Sequence, residues 1–457
     1  EPEIEDYTTS NSIHLGWDNS VAKLQWNYQP TLETRLVTTA YSSKFTSIQE
    51  QREFTIRGLS GGMGLGSEKH ERAIRSQLFT RWRSIAINGG VDVRALTFKP
   101  AMQKTYLNLY DAVVRQSDYR TSQSSLFTEA EYQDNRYKLK GGLRYTYYTD
   151  AAKHPSHHLD VRLQGSTFLT RNAGVEVTFD RLSQFQHSLE GLPVGWALDL
   201  MVPASQQLPA EVSHQYYAGG FWGNDTFYAT LGGYYRHLSN MTSYKSLLNL
   251  FSVHNVSWEE DVATGKGASY GLELWLEKRK GRWTGSMAYT LSRTTRQFAE
   301  INRGLRFPFK FDRTHNLNVQ SQYLLQASER REQRFHTGLY FSSGHNMTIP
   351  VATYSAEDLP FWETTSSSST HNHLYSFHAN YRTQMSKVNE YRVANYLRLD
   401  VGYSVLWKRR TWQHELTFTL YNVLNRKNPY LVFHEEDRWK QLSLLSIIPS
   451  IRWELRF

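Results

Sequence analysis

The sequence contains no cysteine and no long apolar run, and each absence excludes a class of protein. Without cysteine there is no disulfide framework, no cysteine-ligated zinc or iron–sulfur site and no cysteine nucleophile. No stretch approaches the ~18 consecutive apolar residues that predict a transmembrane helix. Hydrophobic residues make up only 39% of the 457 residues, a small share for the core of a soluble protein of this length.

Aromatic side chains and basic charge are what the chain has in excess. The 29 Tyr, 22 Phe and 13 Trp amount to 14% of the residues, and 52 Lys and Arg exceed 43 Asp and Glu. This composition is typical of a β-barrel with a lipid-facing shell, a polar lumen and aromatic girdles. A net charge of +9 also occurs in nucleic-acid binders. Here, however, the basic residues are spread among acids, and we predict no nucleic-acid partner.

Hydrophobicity alternates with a period of two in segment after segment. In residues 270–277 the apolar side chains of Leu272, Leu274 and Leu276 occupy every second position. In residues 283–292 large apolar side chains alternate with Thr, Ser and Ala. Successive side chains of a strand point to opposite faces, and the glycine-containing turn 278–282 between the two segments predicts a hairpin. The same pattern recurs at 138–147, 161–169, 175–180, 315–326, 397–407, 415–420 and 451–457.

A soluble β-sandwich also alternates, but three features favour a membrane barrel. The polar face is charged in many strands, the apolar face often begins or ends in Tyr or Trp, and the connections alternate in length. Short turns such as 278–282 and 408–411 are predicted to alternate with long loops at 101–120, 186–211, 240–266, 299–312 and 345–392. Inward-facing charges are predicted at Lys138, Lys140, Arg144, Arg162, Arg398, Arg452, Glu176, Asp180, Glu273 and Glu454.

The predicted fold class is therefore all-β, a transmembrane antiparallel β-barrel with about 16–18 strands in this chain. No domain boundary is evident, so residues 1–457 are predicted to form one outer-membrane barrel unit. The glycine-rich residues 58–66 and the Ser/Thr run 364–370 are predicted to be loops. The glycine-rich stretch is not a phosphate-binding loop, because neither a Lys-Ser/Thr pair nor a helix signal follows it.

The sequence resembles the barrel portion of a TonB-dependent outer-membrane receptor of the kind common in Bacteroidota. The resemblance rests on the order and spacing of stretches at 192–220, 269–292, 307–318, 396–401, 421–429 and 448–451, and it covers residues 190–457 best. It implies a Gram-negative outer-membrane location and a 22-stranded barrel around an N-terminal plug. Neither the plug nor a TonB-contacting segment is evident here, so the plug and the first strands are predicted to be missing. A partial chain, a cleaved product and a plugless relative all remain open.

The last strand carries apolar residues at every second position, namely Ile451, Trp453, Leu455 and Phe457. Such a strand resembles the signal by which the barrel-assembly machinery recognises its clients, although any lipid-facing strand has the same pattern. The predicted partners are this machinery, outer-membrane lipid, a TonB-type energy-transducing complex if a plug is present upstream, and a surface lipoprotein.

Candidate binding residues lie in the long loops. His371, His373 and His378 have a spacing that can hold Zn or Cu, although chance clustering in a polar extracellular loop also explains them. Trp258 and Trp362 stand beside acidic residues and could stack on a sugar, porphyrin or peptide, or only pack their loops. The carboxylates are scattered and no G-x-S-x-G elbow occurs, so we predict neither an enzyme nor a cofactor.

Two functional hypotheses follow. In the first, the chain is the barrel of a TonB-dependent active transporter that takes up a scarce nutrient through its loops and lumen, as the resemblance implies. In the second, it is a plugless, receptor-like barrel that acts as a structural or interaction subunit of an outer-membrane complex. Finding a plug and a TonB-contacting segment upstream would favour the first hypothesis.

Overall fold

The computed structural model describes residues 11–55, 59–107, 110–115, 118–189, 200–245, 262–355, 381–435 and 438–457. Most of these residues are in β-strands, and the helical content of these ranges is one 3₁₀ turn at Asn302–Gly304. No helix within the ranges has the length and hydrophobicity needed to cross a bilayer.

The strands divide into long ones and short ones attached to their ends. The first half of the chain contains β1 (Asn11–Tyr28), β2 (Arg35–Thr55), β3 (Leu59–Trp82), β4 (Ile85–Leu107), β5 (Tyr110–Arg115), β6 (Tyr119–Gln133), β7 (Tyr137–Thr149), β8 (Pro155–Phe168), β9 (Ala173–Gln184), β10 (Gln186–Leu189), β11 (Leu200–Pro203), β12 (Glu211–Gly223) and β13 (Phe227–Tyr244). The second half contains β14 (Val262–Lys278), β15 (Trp283–Phe298), β16 (Phe307–Pro308), β17 (His315–Ala327), β18 (Arg331–Ser342), β19 (Asn346–Met347), β20 (Pro350–Ser355), β21 (Tyr381–Met385), β22 (Tyr391–Arg392), β23 (Tyr396–Lys408), β24 (Gln413–Tyr421), β25 (Leu431–Glu435), β26 (Arg438–Leu442) and β27 (Ile448–Arg456).

One antiparallel sheet dominates the described residues and contains nineteen strands. β5 and β16 are short additions beside β4 and β15, so seventeen long strands form an up-and-down meander from β1 to β27. This number confirms the predicted 16–18 strands. Within the described ranges β1 pairs only with β2, and β27 pairs only with β24. Because the number is odd and every neighbouring pair is antiparallel, these two edge strands run in the same direction.

The sheet curves around its polar face. A recess of about 830 Å³ on that face is lined by side chains from strands as distant in the sheet as β3 and β15, which requires the intervening strands to bend around a common lumen. The predicted alternation therefore separates lumen from exterior. On β14, for example, Glu273 and Trp275 face inward, whereas Leu272, Leu274 and Leu276 face outward.

The outward face carries an apolar belt between two aromatic rows. Exposed aliphatic residues recur in strand after strand, including Ile74, Leu78, Val91, Val93, Leu126, Leu139, Leu143, Leu159, Leu163, Val177, Leu231, Leu272 and Leu276. On one side of the belt Phe179, Tyr216, Tyr235 and Tyr270 are successive cross-strand partners on β9, β12, β13 and β14. On the other side lie Tyr28, Trp82, Tyr132, Tyr137, Trp222, Phe227, Trp283 and Tyr323. This arrangement is that of a lipid-facing wall with interfacial girdles.

The two ends of the wall differ in the length of their connections. Eight short turns, such as 82–85, 133–137 and 278–283, lie at one end, and the long connections lie at the other. Polar side chains build several short turns: Asp134 Oδ1 accepts hydrogen bonds from the backbone N–H groups of Arg136 and Tyr137 at 2.7 and 2.6 Å. Asn224 Oδ1 accepts in the same way from Thr226 and Phe227. These backbone donors lower the pKa of Asp134.

Two segments that we predicted to be loops are mainly strands. Residues 59–66 of the glycine-rich stretch belong to β3, where Gly61 to Gly66 pair with Leu107 to Met102 of β4. Of the predicted loop at 101–120, β4 occupies the first part and β5 and β6 occupy most of the rest. Glycine has a low strand propensity, but ladders on both sides supply the backbone hydrogen bonds, and this tertiary context outweighs the local preference.

The long-connection end has a small core of its own. Between β9 and β12 the chain forms the hairpin β10–β11, which packs on the tips of β13 and β14. The buried residues of this cluster are Leu189, Leu200, Val202, Leu208, Tyr244 and Val262. His187 of the hairpin is 1% exposed. The described parts of the predicted long loop, residues 186–189 and 200–211, therefore form a folded cap over part of the barrel rim.

Candidate functional site on the luminal wall

The inward face of β2 to β7 carries a connected network of charged side chains. Asp92, whose side chain is 2% exposed, accepts hydrogen bonds from Arg94 at 2.9 and 2.8 Å and from Arg144 Nη2 at 3.0 Å. Arg94 also lies 3.5 Å from Glu71, which accepts a 2.6 Å hydrogen bond from the Tyr41 hydroxyl. Charge-assisted, multiply bonded groups of this kind hold fixed positions, so the network forms a rigid charged patch on the wall.

A phenyl ring separates two arginines of the same wall. The guanidinium of Arg75 lies 4.9 Å from the ring centroid of Phe127, and that of Arg144 lies 5.2 Å from it. Cation–π contacts of this length orient guanidinium groups without neutralising their charge. Within the described part of the chain, Nε of Arg75 and Nε of Arg144 are buried and have no hydrogen-bond partner. Both arginines line the luminal recess, and each retains a buried N–H group without an acceptor among the described residues.

The recess of about 830 Å³ lies next to this network. Five arginines and three carboxylates line it, namely Arg75, Arg144, Arg162, Arg236, Arg296, Glu129, Asp160 and Glu211. Some of the arginines are engaged: Arg236 donates to Gln215 Oε1 at 2.9 and 2.6 Å, and Arg162 lies 3.9 Å from Asp180. The formal balance of the lining is positive, which favours an anionic or polar solute over a cation.

The opposite wall combines uncharged polar groups with equal numbers of acidic and basic side chains. A second recess, of about 890 Å³, is lined by inward-facing hydroxyl and amide groups on β15 and β17, including Thr284, Ser286, Gln320 and Gln322. Its charged lining residues are Glu277, Lys278, Arg279, Asp400, Glu415 and Arg452. His336 and Ser404 of the same wall are hydrogen-bonded at 2.8 Å. The lumen therefore presents one side with an excess of arginine and one side on which acidic and basic residues balance among hydrogen-bonding groups.

A buried carboxylate organises the rim on the long-connection side. Asp312 accepts hydrogen bonds from the backbone N–H of Thr294 at 2.6 Å and from Arg392 Nη2 at 2.8 Å, and it lies 3.8 Å from Arg293. Asn346 Nδ2 in turn donates to the Asp312 carbonyl. Through these contacts Asp312 ties β15, β19 and β22 together.

The residues predicted as candidate ligands cannot be placed. His371, His373, His378, Trp258 and Trp362 lie outside the described residues, and within the described ranges no three metal-binding side chains are grouped to hold an ion. The terminal residues Ile451, Trp453, Leu455 and Phe457 face outward on or just after β27 and are exposed. Their role in barrel assembly stays a prediction.

The charged residues that were predicted to face the lumen do so, but the most highly connected group of luminal charges was not among them. Lys138 and Lys140 pair with Glu131 and Glu129 at 3.3 and 3.1 Å on the inner wall. Glu71, Asp92 and Arg94 were not singled out, although they alternate with Arg72, Ile74, Val91 and Val93 in the usual strand pattern. The alternation could have identified them as inward-facing, but their mutual contacts depend on strand register.

Comparison with solved structures identifies the fold. Over 99% of this chain and 69% of that chain, the wall superimposes on the ferric yersiniabactin uptake receptor FyuA from Yersinia pestis, with a TM-score of 0.53 and 13% identity. The ferric-catecholate import receptor Fiu from E. coli K12 matches over 97% and 65%, with a TM-score of 0.56 and 11% identity. The ferripyoverdine receptor of the Pseudomonas aeruginosa outer membrane matches over 93% and 64%, with a TM-score of 0.53 and 10% identity.

These matches confirm the predicted fold class, an all-β antiparallel barrel wall like that of the matched outer-membrane receptors. The chain spans about two thirds of the length of each of the three structures. No family model and no curated protein matches the chain. All three matched proteins are receptors rather than enzymes. The narrower assignment to a Bacteroidota type stays a prediction.

Proposed function

We propose that this chain is the barrel wall of an energy-coupled receptor in the Gram-negative outer membrane, which takes up a scarce nutrient through its rim and lumen. The observation that carries the proposal is the combination of an apolar, girdled exterior with a lumen that contains a rigid arginine-rich recess. A wall that served only as a scaffold has no need for inward-facing guanidinium groups with spare donors.

The charge of the recess limits the class of nutrient. Arg75 and Arg236 contribute positive charge that no carboxylate within ion-pair distance neutralises among the described residues. Charge-assisted hydrogen bonds from arginine suit carboxylate and catecholate oxygens. The matched receptors are named for ferric chelates, and an anionic ferric chelate is the nutrient class that we propose for this chain.

The open edges of the sheet support a barrel that further strands complete. Unpaired backbone groups in hydrocarbon cost several kcal/mol each, so the long edge strands β1 and β27 need partners in a membrane. Because the two edges run in the same direction, only an odd number of added strands closes the barrel with antiparallel pairs throughout. We therefore propose that residues 1–457 belong to an outer-membrane barrel, with a TonB-type complex as its partner if a plug is present upstream.

Uptake of a labelled chelate tests this function. Cells that express the full-length protein as their sole high-affinity ferric receptor would be given ferric citrate labelled with radioactive iron, and in parallel a labelled ferric catecholate. We expect accumulation of at least one chelate and its loss when a protonophore collapses the proton gradient. Uptake should be at least about tenfold slower in the Arg75→Gln/Arg236→Gln double variant, since even one lost charged contact is worth about 1.5–3 kcal/mol.

A Ser286→Ala variant on the opposite wall is the matched control and should transport normally. Two outcomes would contradict the proposal: accumulation that does not depend on the proton gradient, or no accumulation of either chelate by protein shown to be folded in the outer membrane. The second outcome, together with stoichiometric co-purification of another outer-membrane subunit, would favour the structural-subunit hypothesis.

A further inference from the structure

The outward face of β2, β3, β4 and β6 carries a group of basic side chains just beyond the apolar belt. We call it the outer basic cluster, and its members are Lys44, His70, Arg72, Lys99 and Arg120. Strand register places them together: Lys44 pairs with His70, His70 with Thr97, and Thr97 with Arg120, while Arg72 lies two residues from His70 on the same face. The cluster therefore forms a compact patch across four strands.

The same register shows that the patch faces away from the lumen. Lys69 and Glu71, which flank His70 on β3, line an inner recess, so His70 and Arg72 point to the opposite face. Ile74, Leu78 and Trp82 continue this outer face toward the short-turn end, and all three are exposed. The basic cluster is therefore contiguous with the lipid-facing surface rather than with the solute pathway.

The depth of the cluster matches the headgroup region of a bilayer. Ten residues separate Arg72 from Trp82 of the short-turn girdle, which is about 33 Å along a strand. With the ~40° tilt of barrel strands this corresponds to about 25 Å along the membrane normal, the height of the apolar band of such barrels. Arg72 and Lys44 thus lie at the far edge of the band, on the long-connection side, where lipid phosphates are found.

Ion pairs hold several side chains of the outer basic cluster in place, but the cluster keeps a net positive charge. Glu68 accepts from Lys44 at 2.8 Å and from Lys99 at 3.1 Å, so one carboxylate holds two ammonium groups. Ser42 Oγ lies 3.0 Å from His70 Nε2 and fixes the ring. Within the described residues Arg72 is exposed and has no ion-pair or hydrogen-bond partner. Arg120 has a 3.8 Å contact with Asp118 and is 74% exposed. Positive charge is thus presented to the headgroup layer.

We propose that the outer basic cluster is a binding site for a phosphorylated lipid headgroup in the leaflet on the long-connection side. Guanidinium and ammonium groups that meet at the end of an apolar surface match a lipid, because the acyl chains lie on the belt while the phosphate meets Arg72 and Lys44. A free anion would use the cations but not the contiguous belt. The site rests on the membrane-spanning orientation and not on the nutrient, so failure of the uptake experiment leaves it untouched.

Lipid binding to the purified full-length protein in neutral detergent tests the proposal. The probe is diphosphoryl lipid A in mixed micelles, with phosphatidylcholine and inorganic phosphate as separate comparators. Native mass spectrometry and the thermal unfolding midpoint report bound lipid. We expect diphosphoryl lipid A to bind and stabilise the protein, and the Lys44→Gln/Arg72→Gln variant to bind it about tenfold or more weakly.

The matched control is the Arg279→Gln/Lys280→Gln variant, which removes one Arg and one Lys from a short turn at the opposite end and should bind normally. Equal binding by the cluster variant and the wild type, or equal losses in the cluster and control variants, would overturn the proposal. So would stabilisation by inorganic phosphate equal to that by lipid, since this would indicate a site for free anions. The heat-induced mobility shift of a folded barrel on gels verifies that each variant is folded.

Discussion

Leu274→Arg is the substitution that tests the membrane-facing surface most directly. Leu274 lies on the outer face of β14, with Leu231 and Tyr289 as its direct cross-strand neighbours. Four residues separate it from Tyr270 of one girdle and four from Lys278 at the short turn, so it lies near the middle of the belt. An arginine at the midplane of a barrel exterior costs about 2–4 kcal/mol, a 30-fold to 700-fold change in the ratio of folded to unfolded protein.

Thr290→Arg is the depth-matched control. Thr290 is adjacent in sequence to Tyr289, which pairs with Leu274, but it faces the lumen directly opposite Glu273. A new arginine there meets water and a carboxylate, and we expect the free energy of unfolding to change by less than about 0.5 kcal/mol.

Denaturant unfolding of both variants in phosphatidylcholine vesicles, followed by tryptophan fluorescence, would measure the difference. We expect Leu274→Arg to be the less stable variant by at least about 1.5 kcal/mol. Equal costs for the two substitutions would refute the assignment of the outer face to lipid. A wild-type protein that folds as a monomer in water without detergent would refute it as well.

Three further predictions concern the rim and the last strand. Asp312→Ala should leave Arg392 without its carboxylate and destabilise the rim locally by about 1–3 kcal/mol; faster hydrogen exchange at 391–393 would verify this, and unchanged exchange would contradict it. Burial lowers the pKa of His187, so the unfolded hairpin takes up a proton before the folded one does; hairpin stability should be complete above about pH 6.5 and decline below it until the lowered pKa is reached. Hydrogen exchange of β10–β11 at two pH values should show this decline in the wild type and not in His187→Leu, and a decline in both would exclude His187 as its cause. Trp453→Ala should reduce the amount of assembled barrel in cells several-fold while the inward-facing Arg452→Ala does not; equal yields would leave Trp453 as an ordinary lipid-facing residue.

The period-two pattern was sufficient to predict the class of fold and its two faces. In a strand, side-chain direction follows directly from sequence parity, so Leu274 could be placed outside and Lys140 inside before any contact was known. Short turns were also predictable, because Gly281 and polar residues such as Asp134 and Asn224 act within a few positions of themselves. The strand number was predicted correctly because each alternating segment is one crossing of the wall.

Contacts between distant segments could not be predicted in this way. Whether Asp92 meets Arg144, or Lys44 lies beside His70 and Arg72, depends on strand register, which backbone ladders and turn lengths set together. Backbone ladders also placed the glycine-rich residues 61–66 in a strand, because hydrogen bonds to the strands on both sides outweighed the weak strand propensity of glycine. Sequence parity by itself thus determined which side of the wall each residue faces, because that property is local. Only the tertiary structure decided which charges meet, because register and curvature belong to the sheet as a whole.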